Sequence, residues 1–437
     1  MKILLIGNGA REHAIAEAFK RNKNAKLFSY LKSKNPGIIS LSDGFETGSY
    51  SNLEKIKSYA QKIKPDFAFI GPEDPLNNGA VDLLKSVGII SVGPTKKLAQ
   101  LETSKSFTRN ILKKYKIKGN AKFESFGKND IKDAKRFLDS IGKCVVKPDG
   151  LTGGKGVKVQ GDHFQTKKEA LDYCSEVLQT HPSVIVEEKF EGEEFSLQCL
   201  TDGKTVVATP PVQDHKRAYA DDKGPNTGGM GSYSCENHLL PFLAKKNIQE
   251  GLEITQKVAE ALHKETGEYY KGIMYAGFIV TKEGIKLLEY NARFGDPETM
   301  NILPIMETDF VDVCKAIINQ NLNKIKIKFQ NKATVCKYVV PEGYPDNPVK
   351  NEKISVGVIP KDARLYYASV DQKDGGLYLT SSRAIGCLGI ADGLEKAERI
   401  AEEATKSIKG KVFHREDIGT KKLIEKRIRH MKEILSK

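Results

Sequence analysis

Apolar runs alternating with amphipathic helical segments over the first hundred residues restrict this part of the chain to a parallel sheet with helices on both faces. Lys2–Ile6 reads as a strand and Arg11–Lys20 as a helix, with Ala14 and Ala18, and Ile15 and Phe19, at i,i+4 spacing. Phe67–Ile70 is a second clear strand, and Gly79–Ser86 begins another helix. The short strand Ile89–Val92 runs into a break at Gly93-Pro94-Thr95. The chain has 437 residues, too many for one ordinary domain, so two to four are expected.

The pattern changes from about Ser104. Lys105–Leu112 looks helical, and Cys144–Lys147 is a short strand leading into a glycine-rich loop before Val157–Val159. That loop is expected to join two antiparallel strands. Val184–Glu188 is a further strand, followed by a turn at Glu191-Gly192-Glu193-Glu194. Residues 210–234 are rich in Gly, Pro, Asn and Asp and read as a long functional loop. A helix at about 243–264 and the strands Tyr275–Thr281 and Ile285–Tyr290 follow. The last hundred residues read as a separate α+β unit ending in a basic helix.

Composition excludes several classes. No apolar run reaches the ~18–20 residues of a membrane span, and the run at the start stops at Gly7, ahead of Arg11-Glu12-His13. The seven cysteines form no CxxC pair, which argues against a zinc site or a disulfide framework and fits a reducing cytoplasm. The net charge of +14 raises the question of nucleic acid. The lysines are dispersed, however, and no zinc finger, RNP or basic-zipper pattern accompanies them, so a solvated surface plus a polyanion site is the better reading.

Four constellations carry chemistry. Gly7-Asn8-Gly9, between the first strand and first helix, is a candidate phosphate turn, because free amides at a helix start favour an anion. A dinucleotide site is disfavoured: Glu12 stands at the sixth position of GxGxxG, and Leu27–Leu41 lacks the acidic residue expected on the second strand. A monophosphate is the better guest, with Gly71-Pro72-Glu73 as a further contact; a tight turn without ligand explains the motif equally well. More specific is Lys147-Pro148-Asp149-Gly150-Leu151-Thr152-Gly153-Gly154-Lys155-Gly156. Its amides can fold over a triphosphate while its ammonium groups neutralise it, and four glycines with two lysines are more than a plain hairpin requires.

The third is Leu287–Arg293. Alternation along a strand places Glu289, Asn291 and, if the strand continues, Arg293 on one side, and two oxygen ligands so spaced suit Mg²⁺. A solvated strand face competes with this until the rigid polar turn Phe294–Thr299 is taken into account. The fourth is Gln213-Asp214-His215-Lys216-Arg217 with Gly224–Gly231, a polar stretch unable to build a core and suited to handling substrate. His215 reads as a structural or phosphate contact, since nothing pairs it with a nucleophile.

Taken in order, these segments resemble the glycinamide ribonucleotide synthetase family of ATP-grasp ligases, from Met1 almost to the C-terminus. The specific markers are Gln213–Arg217, Gly224–Gly231 and Asn291–Thr299, with Gly386–Ala391 and Arg415–Gly419 in support. The resemblance implies an N-terminal α/β domain (1–103) for the phosphoribosyl substrate, an ATP-grasp domain (104–328) with a mobile lid (121–191), and a C-terminal α+β domain (329–437). It implies ligation of glycine to 5-phosphoribosylamine in purine synthesis, through a glycyl phosphate, by a cytoplasmic monomer acting on small molecules. Another ATP-grasp carboxylate–amine ligase or carboxylase is the alternative; a basic nucleic-acid binder and a dehydrogenase are more distant.

Roles carried over by the resemblance are as follows. Lys105, Lys147, Thr152, Gly153, Gly154, Lys155 and Gly156 would meet the ATP phosphates, Glu187, Glu188, Lys189 and Phe190 the adenine, and Glu194 the ribose. Glu289 and Asn291 would hold magnesium or manganese. Gly7, Asn8, Gly9, Gly71, Pro72, Glu73, Asp214, Lys216 and Asn226-Thr227-Gly228-Gly229-Met230-Gly231 would bind the phosphoribosyl substrate. Arg293 would hold the glycine carboxylate or the transferring phosphate, with Asp214 and Lys147 beside it in catalysis. Pro148, Thr152, Pro210, Pro211 and Ser381-Ser382-Arg383 depart from the family pattern.

Overall fold

The computed structural model describes residues 1–152 and 156–436. Lys2–Ile6 is the central strand of a five-stranded parallel sheet, flanked by Lys26–Leu31 and Phe67–Ile70, with Gly44–Thr47 and Ser91–Val92 at the edges. Ile3, Leu4, Leu5 and Ile6 have no exposed surface, as a sheet covered on both faces requires. The strand order reverses beside Lys2–Ile6, so the crevice at the switch point opens where Gly7 and Gly71 leave adjacent strands. The helix expected from Gly79 runs Ala80–Ser86, and a short helix the sequence did not signal, Glu73–Asn78, precedes it, the two separated at Gly79 by a left-handed backbone of φ +86°.

Phe123–Phe126, Val184–Glu188, Cys144–Pro148 and Lys158–Val159 form an antiparallel sheet, with the last two paired across the glycine-rich loop as expected. Helices Ile131–Ser140 and Lys167–Thr180 share with this sheet a core of their own, including Leu138, Cys144, Val146 and Cys174. A unit with a separate core can move without disturbing its neighbours.

The adjoining body is an antiparallel sheet of Val206–Ala208, Glu193–Thr201, Gly272–Thr281 and Gly284–Asn291, backed by the helix Lys245–Thr266. The turn expected at Glu191–Glu194 is already strand from Glu193 onward. Gly192 makes this possible: a Cβ there would lie 1.9 Å from the Val280 carbonyl oxygen.

The stretch 210–234 is not the irregular loop its composition suggested. Arg217–Tyr219 pairs with Lys223–Asn226 as a small hairpin, while Gln213–Asp214 and Gly231–Ser234 pair with each other. Gly231–Ser234 then joins Ala333–Pro341, so this polar segment becomes the edge of the C-terminal sheet. Backbone pairing, which side-chain hydropathy does not report, orders it. Ile385–Ala391 and Ala363–Tyr367 complete the sheet, and helix Leu394–Lys406 packs on it. All seven cysteines are buried and unpaired, and no described helix is long and apolar enough to cross a membrane.

Candidate active site

The site is built on the end of Gly284–Asn291. A register shift opposite Gly277 and Phe278 leaves Leu288 bulged, and its carbonyl accepts side-chain donors. Arg109, from helix Lys105–Lys114, uses that opening. Its Nη1 and Nη2 donate to the carbonyls of Leu287 and Leu288 at 2.9 and 3.1 Å, while Nε and Nη2 donate to Glu187 at 2.7 and 2.8 Å. Lys147 donates to the Leu288 carbonyl at 3.2 Å and pairs with Glu187 at 2.7 Å. Burial alone would raise the Glu187 carboxyl, but Arg109 and Lys147 hold it down at about 2. The Glu187 carboxylate therefore aims Lys147 and is itself committed to protein cations.

Lys105 begins its helix with its backbone amide donating to Asp149 at 2.7 Å and its ammonium to the Gly150 carbonyl at 2.7 Å. Burial lowers its pKa, against the attraction of Glu289. Gly153, Gly154 and Lys155 lie outside the described residues. At the flanks of that loop, the Gly156 carbonyl accepts the Tyr173 hydroxyl at 2.8 Å. A Cβ on Gly156 would meet Pro148 at 2.7 Å and Thr152 at 3.3 Å. Glu188 accepts the Lys122 amide, Lys189 donates to the Gln160 carbonyl, and Lys286 lies over the Phe190 ring.

Glu289, Glu194, Asp214, Lys216, Ser196 and Tyr275 line one cavity. The Lys216 ammonium lies 3.8 Å from both Glu194 and Glu289. Burial works against the charge on Glu289, but Lys216, Lys147 and Lys105 together keep its pKa below the ordinary value. Three lysines distant in sequence thus face one carboxylate. Asp214 Oδ1 is buried and has no hydrogen-bond partner among the described residues. Glu298 lies behind Tyr275 and accepts its hydroxyl at 2.7 Å. Neither Glu298 nor Tyr275 was singled out from sequence, although Glu298 stood inside the quoted turn Phe294–Thr299.

Arg293 faces Glu73 at 3.1 Å and Glu102 at 3.0 Å, and donates to Asn291 Oδ1 at 3.2 Å. Burial would raise Glu73, yet Arg293 and then Arg11 hold it at about 2, whereas burial pushes Glu102 up to about 7. The Gly7–Gly9 turn has an internal anion. The Gly9 amide donates to Glu12 Oε2 at 2.6 Å, and a Cβ on Gly7 or Gly71 would come within 2.1 or 2.5 Å of the Glu12 side chain. These glycines make room for Glu12 at the switch point, Pro72 packs against the same turn, and Asn8 is turned toward Ser33. The residue that spoiled the dinucleotide fingerprint is a helix-capping carboxylate, as its N3 position could have signalled.

The segment Asn226–Gly231 is held from both sides. Thr227 donates to the Lys216 carbonyl and accepts the Gly229 amide, and the Met230 amide donates to the His215 carbonyl. Arg383 Nη1 donates to the carbonyls of Gly228, Gly229 and Asp296 at 2.7, 3.0 and 3.2 Å, and its guanidinium lies over Tyr338. The Ser381-Ser382-Arg383 departure therefore keeps the arginine that locks this segment to the C-terminal domain. Arg383→Ala is expected to speed amide exchange across 226–231 at least about tenfold, the equivalent of ~1.4 kcal/mol, as read by hydrogen–deuterium exchange. His215 is buried against Tyr233 with Nδ1 3.8 Å from Asp222, and burial lowers it to about 4, in keeping with a structural role.

Comparison with known proteins supplies the kinship. The models of the phosphoribosylglycinamide synthetase N domain, ATP-grasp (A) domain and C domain match residues 1–102, 103–299 and 334–421. A protein of Methanocaldococcus jannaschii named phosphoribosylamine–glycine ligase is 52% identical, over 99% of this chain and 100% of that one. A Methanosarcina acetivorans protein of the same name is 49% identical, over 99% and 98%. Among solved structures, the phosphoribosylamine–glycine ligase of Thermotoga maritima superposes with a TM-score of 0.80 at 26% identity, covering 95% of this chain and 100% of that one. The biotin carboxylase domain of Hydrogenobacter thermophilus 2-oxoglutarate carboxylase, at 17% identity and TM-score 0.73 over 99% and 93%, shares the fold alone. Three consecutive domain matches and near-complete coverage at about half identity settle the kinship: this chain belongs to the phosphoribosylglycinamide synthetase family.

Proposed function

We propose that this protein joins glycine to 5-phosphoribosylamine at the expense of ATP, giving glycinamide ribonucleotide, ADP and phosphate. The observation that carries this reading is full-length kinship with relatives named phosphoribosylamine–glycine ligase. The cavity supplies means suited to it. A carboxylate resists an amine because oxide is a poor leaving group. The glycine carboxylate oxygen attacks the γ-phosphorus, ADP departs, and the resulting acyl phosphate can expel phosphate when the amine forms the C–N bond and loses a proton. Charge on the transferring group spreads over its oxygens, so placed cations do most of the work. Lys147, aimed by Glu187, and Lys105 are suited to the phosphates, and Arg293 to the acid or the phosphoryl group.

Glu289 and Asn291 fit a divalent ion. They are oxygen donors two residues apart at a strand end, and Glu289 is held ionised beside the cavity. Magnesium or manganese there would neutralise phosphate charge. The separate core of residues 121–191 suits a lid that shields the labile acyl phosphate from water. The domains are read as 1–103, 104–328 and 329–437. A cytoplasmic monomer acting on small molecules is the accompanying expectation.

The test is mass identification of the product from ATP, glycine and phosphoribosylamine formed in situ. Glycinamide ribonucleotide with one ADP per product is expected; ADP release without that product would overturn the reading. Alanine should be a poor substrate, by exclusion of its methyl group, because losing a methylene contact is worth only ~1–3 kcal/mol. The ratio of kcat/KM for the two amino acids measures this.

A further inference from the structure

Asp214, which lines the cavity, and Glu298, behind the cavity residue Tyr275, make no ion pair among the described residues. Asp214 Oδ1 is buried without a partner among the described residues, and Glu298, 2% exposed, has the Tyr275 hydroxyl as its donor. The glycines between them bring backbone directly onto both groups: a Cβ on Gly229 would lie 2.7 Å from Asp214 Oδ1, and one on Gly295 would lie 2.3 Å from Glu298 Oε2. The cations that face this pair are occupied elsewhere. Lys216 stands between Glu194 and Glu289, Arg293 between Glu73 and Glu102, and Arg383 pairs with Asp296. Asp214 lines the same cavity as Glu289, where the acid is to be activated.

We infer that Asp214 and Glu298 form the seat for the α-ammonium group of glycine and so determine which small acid this site accepts. The inference rests on the ligase reading above and names the residues that recognise the substrate's amine. Glycine differs from acetate only by its ammonium, a compact cation with three donors. A buried carboxyl without a counter-ion is unfavourable, and a ligand that brings the charge and donors relieves it. Burial pushes both carboxyls above their ordinary range, the charge of Glu298 adds to this at Asp214, and an arriving cation reverses it. Gly229 and Gly295 leave no room for side chains around the pair, which suits the smallest amino acid.

The arrangement also bears on the order of bonds formed. An ammonium held by two carboxylates keeps its proton and has no lone pair. Activated glycine then meets one available nucleophile, the neutral amine of the phosphoribosyl substrate. The C–N bond forms at the acyl carbon, the bond to phosphate breaks, and the attacking nitrogen releases its proton.

The experiment uses the full chain with Mg-ATP. In the wild type, acetate is measured against glycine as a competitor for ADP release; glycine is expected to bind at least tenfold better, and equal affinity overturns the seat. Glu298→Gln and Asp214→Asn are each expected to raise KM for glycine at least tenfold, leave KM for ATP within about twofold, and shrink the preference over acetate by a similar factor. A rise in KM for phosphoribosylamine with glycine unaffected assigns the pair to the other amine and overturns the proposal. If one variant fails to fold, the other variant and the wild-type competition still decide. If the wild type releases ADP with glycine but forms no glycinamide ribonucleotide, it is the ligase reading that falls.

Discussion

Glu289→Ala is expected to lower kcat by about 10²–10³ or more, the scale of losing a placed electrostatic group, ~2.7–4 kcal/mol, while the protein stays folded. The side chain is 39% exposed, so its removal opens no cavity in the core. Its loss leaves Lys216, Lys147 and Lys105 without the carboxylate they share and would remove the charged ligand of the proposed divalent ion. Steady-state ADP release beside a thermal melt makes the check. An unchanged melt with lost turnover is the expected pair, and near-normal turnover in a folded variant would remove the metal assignment.

A second large effect concerns stability. Arg109→Met should destabilise the protein by about 3–5 kcal/mol, because it strands Glu187 in the interior with only Lys147 and frees two buried carbonyls. The shift in denaturant midpoint at constant m reads it. A loss below about 1 kcal/mol would show that the pair does not hold helix, lid strand and site together. The sign with pH follows from Glu187, whose folded value of about 2 lies below the ordinary 4.5. Between those values the unfolded chain binds more protons, so stability rises with pH. This contribution is complete above about 4.5 and is lost as pH falls through about 2. Glu187→Gln should flatten the stability profile of the wild type in that window.

Much of the candidate site's arrangement was legible because it is carried by short segments. Lys147 before a glycine hairpin, Glu289 near the end of a strand, and Asp214 with Lys216 in one polar run converge on the same region, with Asn291 beside Arg293 at that strand's end. At the Gly7–Gly9 turn the glycines signalled space without saying what lies beside them, and the structure sets Glu12 there. Residues 210–234 misled because a stretch rich in Gly, Pro, Asn and Asp reads as loop, whereas strand pairing to Ala333–Pro341 orders the segment.

By itself the sequence determined the periodicities and the local backbone: parallel strands alternating with helices, a hairpin of glycines, and which side chains share a strand face. These follow from 3.6- and 2-residue repeats and from φ limits, which act within a few residues. Only the tertiary structure decided which charges meet. Arg109 finds Glu187 across 78 residues and Arg383 finds Gly228 across 155. Such pairings depend on how separate sheets pack and on the low dielectric that packing creates, and neither is written in any local pattern.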